Sequence, residues 1–376
     1  MKKTGARRNR KLRSAAAVAA TVAVVTIAAL IFLYRDELAP SALRESLDLS
    51  PGADTAAAAY TYESGEGQVF AAAGNCLAVA SGSGLQFLDK NGNLAARELF
   101  SMQNPAVAGF DGGAAFFDVG GTALRVAYES GKTVSLDQEN AILSVSANQS
   151  GELAVTTRAP GYKALLAVYN KNLDLFYKWY SGTLRVLGAH VSPKGDFVTA
   201  LCLSDTGSTV QCFSTKAQDP VWTVPLPGEL FLDLRYCGNN IVLLSQTRLL
   251  FLNASTGKQV GSFDFEGSHL SDYDLNGGGF VAVILDKYAV GTQEELITVS
   301  SAGLQRGETE LPRGADSVSA DGQNILLLSG GALTLYNAEL EVRGQRDDAL
   351  GFQRALLLSG GTCLLLSSFA AERETF

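Results

Sequence analysis

From residue 66 onward the chain alternates between short apolar runs and polar turns rich in Gly, Asn and Asp. Eight runs share one layout: LAVA after Cys76, AFFDV after Ala114, LAVTT after Glu152, FVTAL after Asp196, IVLLS after Asn240, FVAVI after Gly279, ILLLS after Asn324 and ALLLS after Arg354. With Leu77, Ala115, Leu153, Phe197, Ile241, Phe280, Ile325 and Ala355 as markers, the intervals are 38, 38, 44, 44, 39, 45 and 30 residues. A second apolar run follows each first one, starting at Leu85, Leu124, Leu165, Val210, Leu249, Leu296, Leu333 and Cys363. Runs this short, apolar on both faces and bounded by turns, read as buried strands, and no amphipathic helical period appears after residue 60.

An interval of roughly 40 to 50 residues is the length of a propeller blade. Two central strands per module, with extended flanking segments, make a four-stranded sheet. Such sheets hide their faces against one another and leave only short edges when repeated around an axis. The pattern therefore predicts an all-β propeller of eight blades across residues 60–376, or of seven if one module is irregular. Ring closure needs a strand from the other end of the repeat. The last module is the shortest and lacks a strong outer strand, which makes Ala59-Tyr60-Thr61-Tyr62 the expected donor.

Ahead of the repeat, Ser14 to Tyr34 reads SAAAVAATVAVVTIAALIFLY without a charge. At about 1.5 Å per residue, a helix of this length matches a hydrocarbon layer of about 30 Å. Lys2, Lys3, Arg7, Arg8, Arg10, Lys11 and Arg13 precede it, so the positive-inside bias predicts a cytoplasmic tail at 1–13 and an outward-facing remainder. The rival reading is a cleaved signal peptide, with small residues near Leu38-Ala39-Pro40-Ser41-Ala42. Signal peptides carry apolar cores of only about 7 to 15 residues, so an uncleaved anchor over 14–34 is expected. Residues 35–59, with Pro40, Pro51 and Gly52, read as a spacer.

Charge adds one exclusion. Of the 30 basic residues seven lie in the tail, leaving 23 against 38 acidic ones, a balance of −15 for the rest. A surface that acidic is repelled by phosphate backbones, so nucleic acid is not an expected partner. The five cysteines, Cys76, Cys202, Cys212, Cys237 and Cys363, show no paired spacing and an odd count. Cys202 and Cys212 flank a hairpin and stand near cross-strand register, yet buried small hydrophobes are the expectation for all five.

LLFLNASTGKQVGSFDF from Leu249 to Phe265 resembles the quinoprotein type of propeller repeat, and the turns in Val191-SPKGDFVTA and Val318-SADGQNILL resemble those of WD-like repeats. Basic tail, anchor, spacer and divergent propeller together resemble an uncharacterised family of clostridial-type, Gram-positive single-pass membrane proteins. The resemblance implies a location and a fold and supplies no activity.

Chemistry-bearing residues are sparse. His190 and His269, the only histidines, fall on first strands just before a turn and lack a second ligand at metal-site spacing. Asp272-Tyr-Asp274-Leu-Asn276-Gly277 imitates the start of a calcium loop, but the twelfth position is Val283, so a turn cap is expected instead. Gly-rich stretches open no helix, and no nucleophile elbow is present. Quinoprotein enzymes keep a stacking Trp over the axis, whereas Trp179 and Trp222 occupy matching outer-strand positions and are expected between blades. No catalytic residue, cofactor site or metal site is assigned. Binding is expected on protruding loops: at Tyr162 and Lys163 in the third module, and at Glu294 and Glu295 in the Lys287–Glu295 insertion. The reading is a membrane-anchored extracytoplasmic propeller that serves as a non-catalytic scaffold for a protein or cell-envelope partner. The alternative is a propeller enzyme, or a glycan- or small-ligand-binding module, with its site at the central channel.

Overall fold

The computed structural model describes residues 60–287, 293–311 and 314–376, all within one compact unit that begins at Ala57. The expected anchor, tail and spacer lie outside the described residues. Among those described, 32 strands form eight four-stranded antiparallel sheets, and no helix is long and apolar enough to cross a membrane. The sheets are the blades of an eight-bladed propeller, the first starting at Val69 and the seventh ending at Arg346.

Within each of blades 1 to 7 the strands follow chain order from hub to rim. The two central strands are those whose apolar runs repeat in the sequence. Cys76–Ser81 and Gly84–Leu88 of blade 1 are buried at every position, while the rim strand Pro220–Pro227 of blade 4 alternates exposed and half-buried residues. A central strand is covered on both faces by neighbouring blades, so both of its faces must be apolar; a rim strand has one face in water.

The core is accordingly radial. Buried side chains fall into eight clusters, each spanning one pair of adjacent blades, from blades 1 and 2 around to blades 8 and 1. Trp179 and Trp222 are part of this packing, as expected. The Trp179 ring lies 4.6 Å from Phe213 of the next blade, and the Trp222 indole N–H donates to the Ala254 carbonyl 3.1 Å away.

Blade 8 differs. Its hub strand is Arg354–Leu357, followed by Cys363–Leu366 and Ala370–Glu374, and its rim strand is Tyr60–Thr61 from the other end of the repeat. Tyr60 pairs with Ala371 and Thr61 with Ala370. The donor strand is the one the sequence points to. The eighth marker is displaced by one strand, however, because ALLLS belongs to the hub strand and CLLL is the true second strand. Counted to Leu364, the last interval is 39 residues rather than 30, so blade 8 has ordinary length and lacks only its rim.

Hydrogen bonds lock this seam. The Tyr62 hydroxyl shares its one proton between the carbonyls of Ser367 and Ala370, at 2.9 and 2.7 Å, and Arg373 donates to the Tyr60 hydroxyl at 2.9 Å. Tyr60 has no accessible surface and packs among Leu77, Leu88, Leu364 and Leu366. All five cysteines are buried and free. Cys202 pairs with Thr209 and Cys212 with Thr199, so the two thiols are not cross-strand partners.

Candidate functional site

The first strand of every blade is an edge strand turned toward the axis, and its unpaired N–H groups need acceptors. Side chains from the preceding blade supply several of them. Asp272 Oδ2 accepts from the Val318 N–H at 3.3 Å and Asp274 Oδ2 from the Ala320 N–H at 2.9 Å, tying blade 6 to blade 7. Ser317 and Ser319 hydroxyls accept from Ala355 and Leu357 at 2.8 and 3.0 Å, tying blade 7 to blade 8. Between blades 3 and 4 the Ser146 hydroxyl donates to the Ala189 carbonyl at 2.5 Å. A residue spacing of two puts both members of each pair on one side of the strand, which is why Asp-x-Asp and Ser-x-Ser recur there.

The hub is chemically lopsided. Blades 1 and 2 approach it with VFAAA (Val69–Ala73) and PAVAGF (Pro105–Phe110), and a Cβ on Gly109 would lie 1.8 Å from the Ala72 carbonyl oxygen. Blades 5, 6 and 8 bring Asp233 and Arg235, Asp272 and Asp274, and Arg354. These charged residues, with Tyr273, Ser319 and Phe70, line an axial cavity of about 380 Å³, a size ordinary for small-ligand sites.

Inside it Arg235 pairs with Asp233 at 3.2 Å and lies against the imidazole of His190. Burial, and then the Arg235 guanidinium, hold His190 well below the ordinary histidine value, so the ring is neutral and accepts the guanidinium proton. Asp274 lines the cavity, and burial pushes its carboxyl up to about 6 despite hydrogen bonds from Ala320 and Asn276. Its Oδ1 accepts from the Asn276 N–H at 2.8 Å, which is the turn cap read from the sequence. Among the described residues no three His, Cys, Asp or Glu side chains converge on a point where a metal ion could sit.

The sequence-assigned binding residues are not brought together. Tyr162 is exposed on the loop between the second and third strands of blade 3, its ring 4.7 Å from that of Tyr180, over which the Lys178 ammonium sits at 5.1 Å. Lys163 beside it is also exposed, with its N–H bonded to the Ser181 carbonyl at 2.8 Å. Glu294 and Glu295 need correction. They open the strand Glu294–Ser300 rather than belonging to a protruding loop. Glu294 accepts from the Ser271 hydroxyl at 2.6 Å and the Ala315 N–H at 2.5 Å, so it joins blade 6 to the start of blade 7. Glu295 is buried and paired with Lys287. Strand pairing with Leu285 and Asp286 continues through both residues, which the insertion hides in the sequence. His190 does precede its turn, on Arg185–Val191, but His269 is the first residue of His269–Asp274, at the far end of the strand from Asn276-Gly277.

Asp233, Arg235 and Arg354 escaped the sequence reading because they come from two hub strands, of blades 5 and 8, that carry no local motif. The available signal was the contrast between Ala- and Gly-rich hub strands in blades 1 and 2 and charged ones in blades 5 and 6.

Residues 54–345 match a family of unknown function, DUF5711. The chain belongs to this family. The DUF5711 match begins ahead of the Tyr60–Thr61 strand and ends before the hub strand of blade 8. No curated protein matches the chain. Solved structures match at the level of fold. The computationally designed Ika8 protein aligns over 84% of this chain and 99% of its own, with TM-score 0.61 and 12% identity. The C-terminal WD40 domain of Sif2 aligns over 84% and 100%, with TM-score 0.58 and 11% identity. BamB from Moraxella catarrhalis aligns over 81% and 96%, with TM-score 0.52 and 14% identity. Identities this low speak for the propeller architecture of DUF5711 and for nothing beyond it.

Proposed function

We propose that this DUF5711 protein is a single-pass membrane protein, anchored through residues 14–34 with its N-terminus in the cytoplasm, that holds the propeller outside the cell membrane as a non-catalytic scaffold for a protein or cell-envelope partner. One observation supports the scaffold reading above others: side chains with chemical potential are spent on the frame. Asp272, Asp274, Ser317, Ser319 and Glu294 hydrogen-bond the backbone of the following blade. A carboxylate committed in this way holds position and is poorly placed to shuttle protons. A rigid ring with loops at its rims is the usual platform for a partner, and the exposed Tyr162–Tyr180 pair offers the aromatic surface that interfaces favour.

The test is to tag the full-length chain at its C-terminus, cross-link intact cells and purify it from the membrane fraction. Protease added outside intact cells is expected to remove the propeller, and a specific envelope partner is expected to co-purify and to be lost in a Tyr162→Ala, Tyr180→Ala double variant. Propeller protected from external protease refutes the topology. Turnover of a small substrate by the purified chain, with no partner captured, refutes the scaffold.

A further inference from the structure

The charges around the axial cavity do not cancel in place. Asp233 and Arg235 satisfy each other. Arg354 lines the same cavity and is exposed, and its guanidinium makes no hydrogen bond, ion pair or ring contact among the described residues. Asp272 and Asp274 form no salt bridge among the described residues, although the Arg235 guanidinium acts on Asp274 through space. Their oxygens accept only from Tyr273 and Val318, and from Asn276 and Ala320. A carboxylate offers about four lone-pair sites, so Asp272, which uses two, keeps acceptor capacity turned to the cavity. One guanidinium and two carboxylates, none of them in an ion pair among the described residues, thus face one space, on hub strands of blades 8 and 6 separated by blade 7.

We propose that this cavity binds a small zwitterion, a free amino acid or short peptide, with its carboxylate on Arg354 and its ammonium on Asp272 and Asp274. The choice follows from what each ligand class would leave unpaired. A dicarboxylate would satisfy Arg354 and be repelled by the aspartates, and a diamine would do the reverse. A neutral sugar would displace water from the charges without replacing its hydrogen bonds, an unfavourable exchange. Only a ligand with both signs pairs every charge, and Arg354 has the planar fork that takes a carboxylate bidentately. Phe70, Val318 and Leu356 supply apolar wall for a side chain, and about 380 Å³ is room for one or two residues.

Calorimetric titration of the full-length chain in mild detergent tests the assignment. The probes are glycine, L-leucine and L-alanyl-L-alanine, with acetate, methylammonium and glucose as single-feature controls. Zwitterions are expected to bind and the controls to bind at least tenfold more weakly. Because the exposed Arg354 guanidinium holds no polar partner in the fold, Arg354→Ala should keep the wild-type circular dichroism and unfolding midpoint while weakening binding by ~10- to 100-fold, the loss typical of a charge-assisted pair. Arg354→Lys should recover part of it, and Asp272→Asn should weaken binding independently. The proposal is overturned if no zwitterion binds, if Arg354→Ala binds as the wild type does, or if glucose or acetate binds more tightly than the zwitterions.

Discussion

Replacing Tyr60 by alanine should unfasten the ring. The side chain is fully buried between blades 8 and 1, and truncating a large buried aromatic costs about 3 to 5 kcal/mol. The hydroxyl adds a charge-assisted hydrogen bond from Arg373 at 2.9 Å, worth about 1.5 kcal/mol, part of which Arg373 keeps through the Lys90 carbonyl. Tyr60→Ala is therefore expected to cost on the order of 4 to 6 kcal/mol at the seam, and Tyr60→Phe about 1 kcal/mol. Two probes separate opening of the seam from unfolding of the whole ring. Amide exchange along Ala370–Glu374 reads the seam, since the rim strand Tyr60–Thr61 pairs there. Fluorescence of Trp179 and Trp222, on the rim strands of blades 3 and 4, reads the opposite side. A local loss of 4 kcal/mol corresponds to roughly a thousandfold faster exchange. The reasoning fails if exchange in Tyr60→Ala stays within tenfold of the wild type.

Three further outcomes are expected. Asp274 has its carboxyl raised by burial from 3.8 to about 6, so the folded state holds the proton more tightly than the unfolded one. Its contribution to stability is complete below about pH 4 and is lost as pH rises through about 6; urea midpoints of Asp274→Asn should lack that decline, worth on the order of 2 to 3 kcal/mol in the wild type. Burial pushes the thiols of Cys76, Cys212 and Cys237 up to about 11 and those of Cys202 and Cys363 up to about 12, so Ellman's reagent should titrate none of the five at pH 8 in the native chain and all five in guanidinium. Gly109→Val should destabilise by more than about 3 kcal/mol in thermal unfolding, because any Cβ there meets the Ala72 carbonyl at 1.8 Å and only backbone movement relieves it.

The architecture was legible because the second and third strands of each blade are buried on both faces, and unbroken apolar runs such as IVLLS and LLFL record that directly. Tyr60 to Tyr62 could be recognised as the closing strand from what the last module lacks. Hub strands were harder to read. They are edges with mixed surroundings, and their residues answer to the neighbouring blade: Asp274 is placed by an N–H of Ala320, 46 residues away. That dependence also misplaced the eighth marker, since the apolar hub strand Arg354–Leu357 looks like a central one. Glu294 and Glu295 were assigned to a loop because the insertion before them breaks the period, while the pairing with Asp286 and Leu285 that makes them strand is invisible without coordinates. The axial cavity escaped for a related reason: its lining is shared among hub strands of blades 1 and 5 to 8, and the one stretch of it that stands out in the sequence, Asp272 to Asn276, reads there as a turn cap.

The seam joins residues 311 positions apart, Tyr60 and Ala371, and every other blade is built from strands that are neighbours in the chain. During synthesis seven blades can zip up as consecutive hairpins while the eighth waits with its rim unpaired. The slowest step of folding should then be the meeting of the two ends, a long-range contact whose rate is limited by chain search rather than by hairpin formation. A nascent chain halted before residue 370 would carry an open arc with a bare apolar flank at each end, a natural substrate for holding chaperones and for proteolysis.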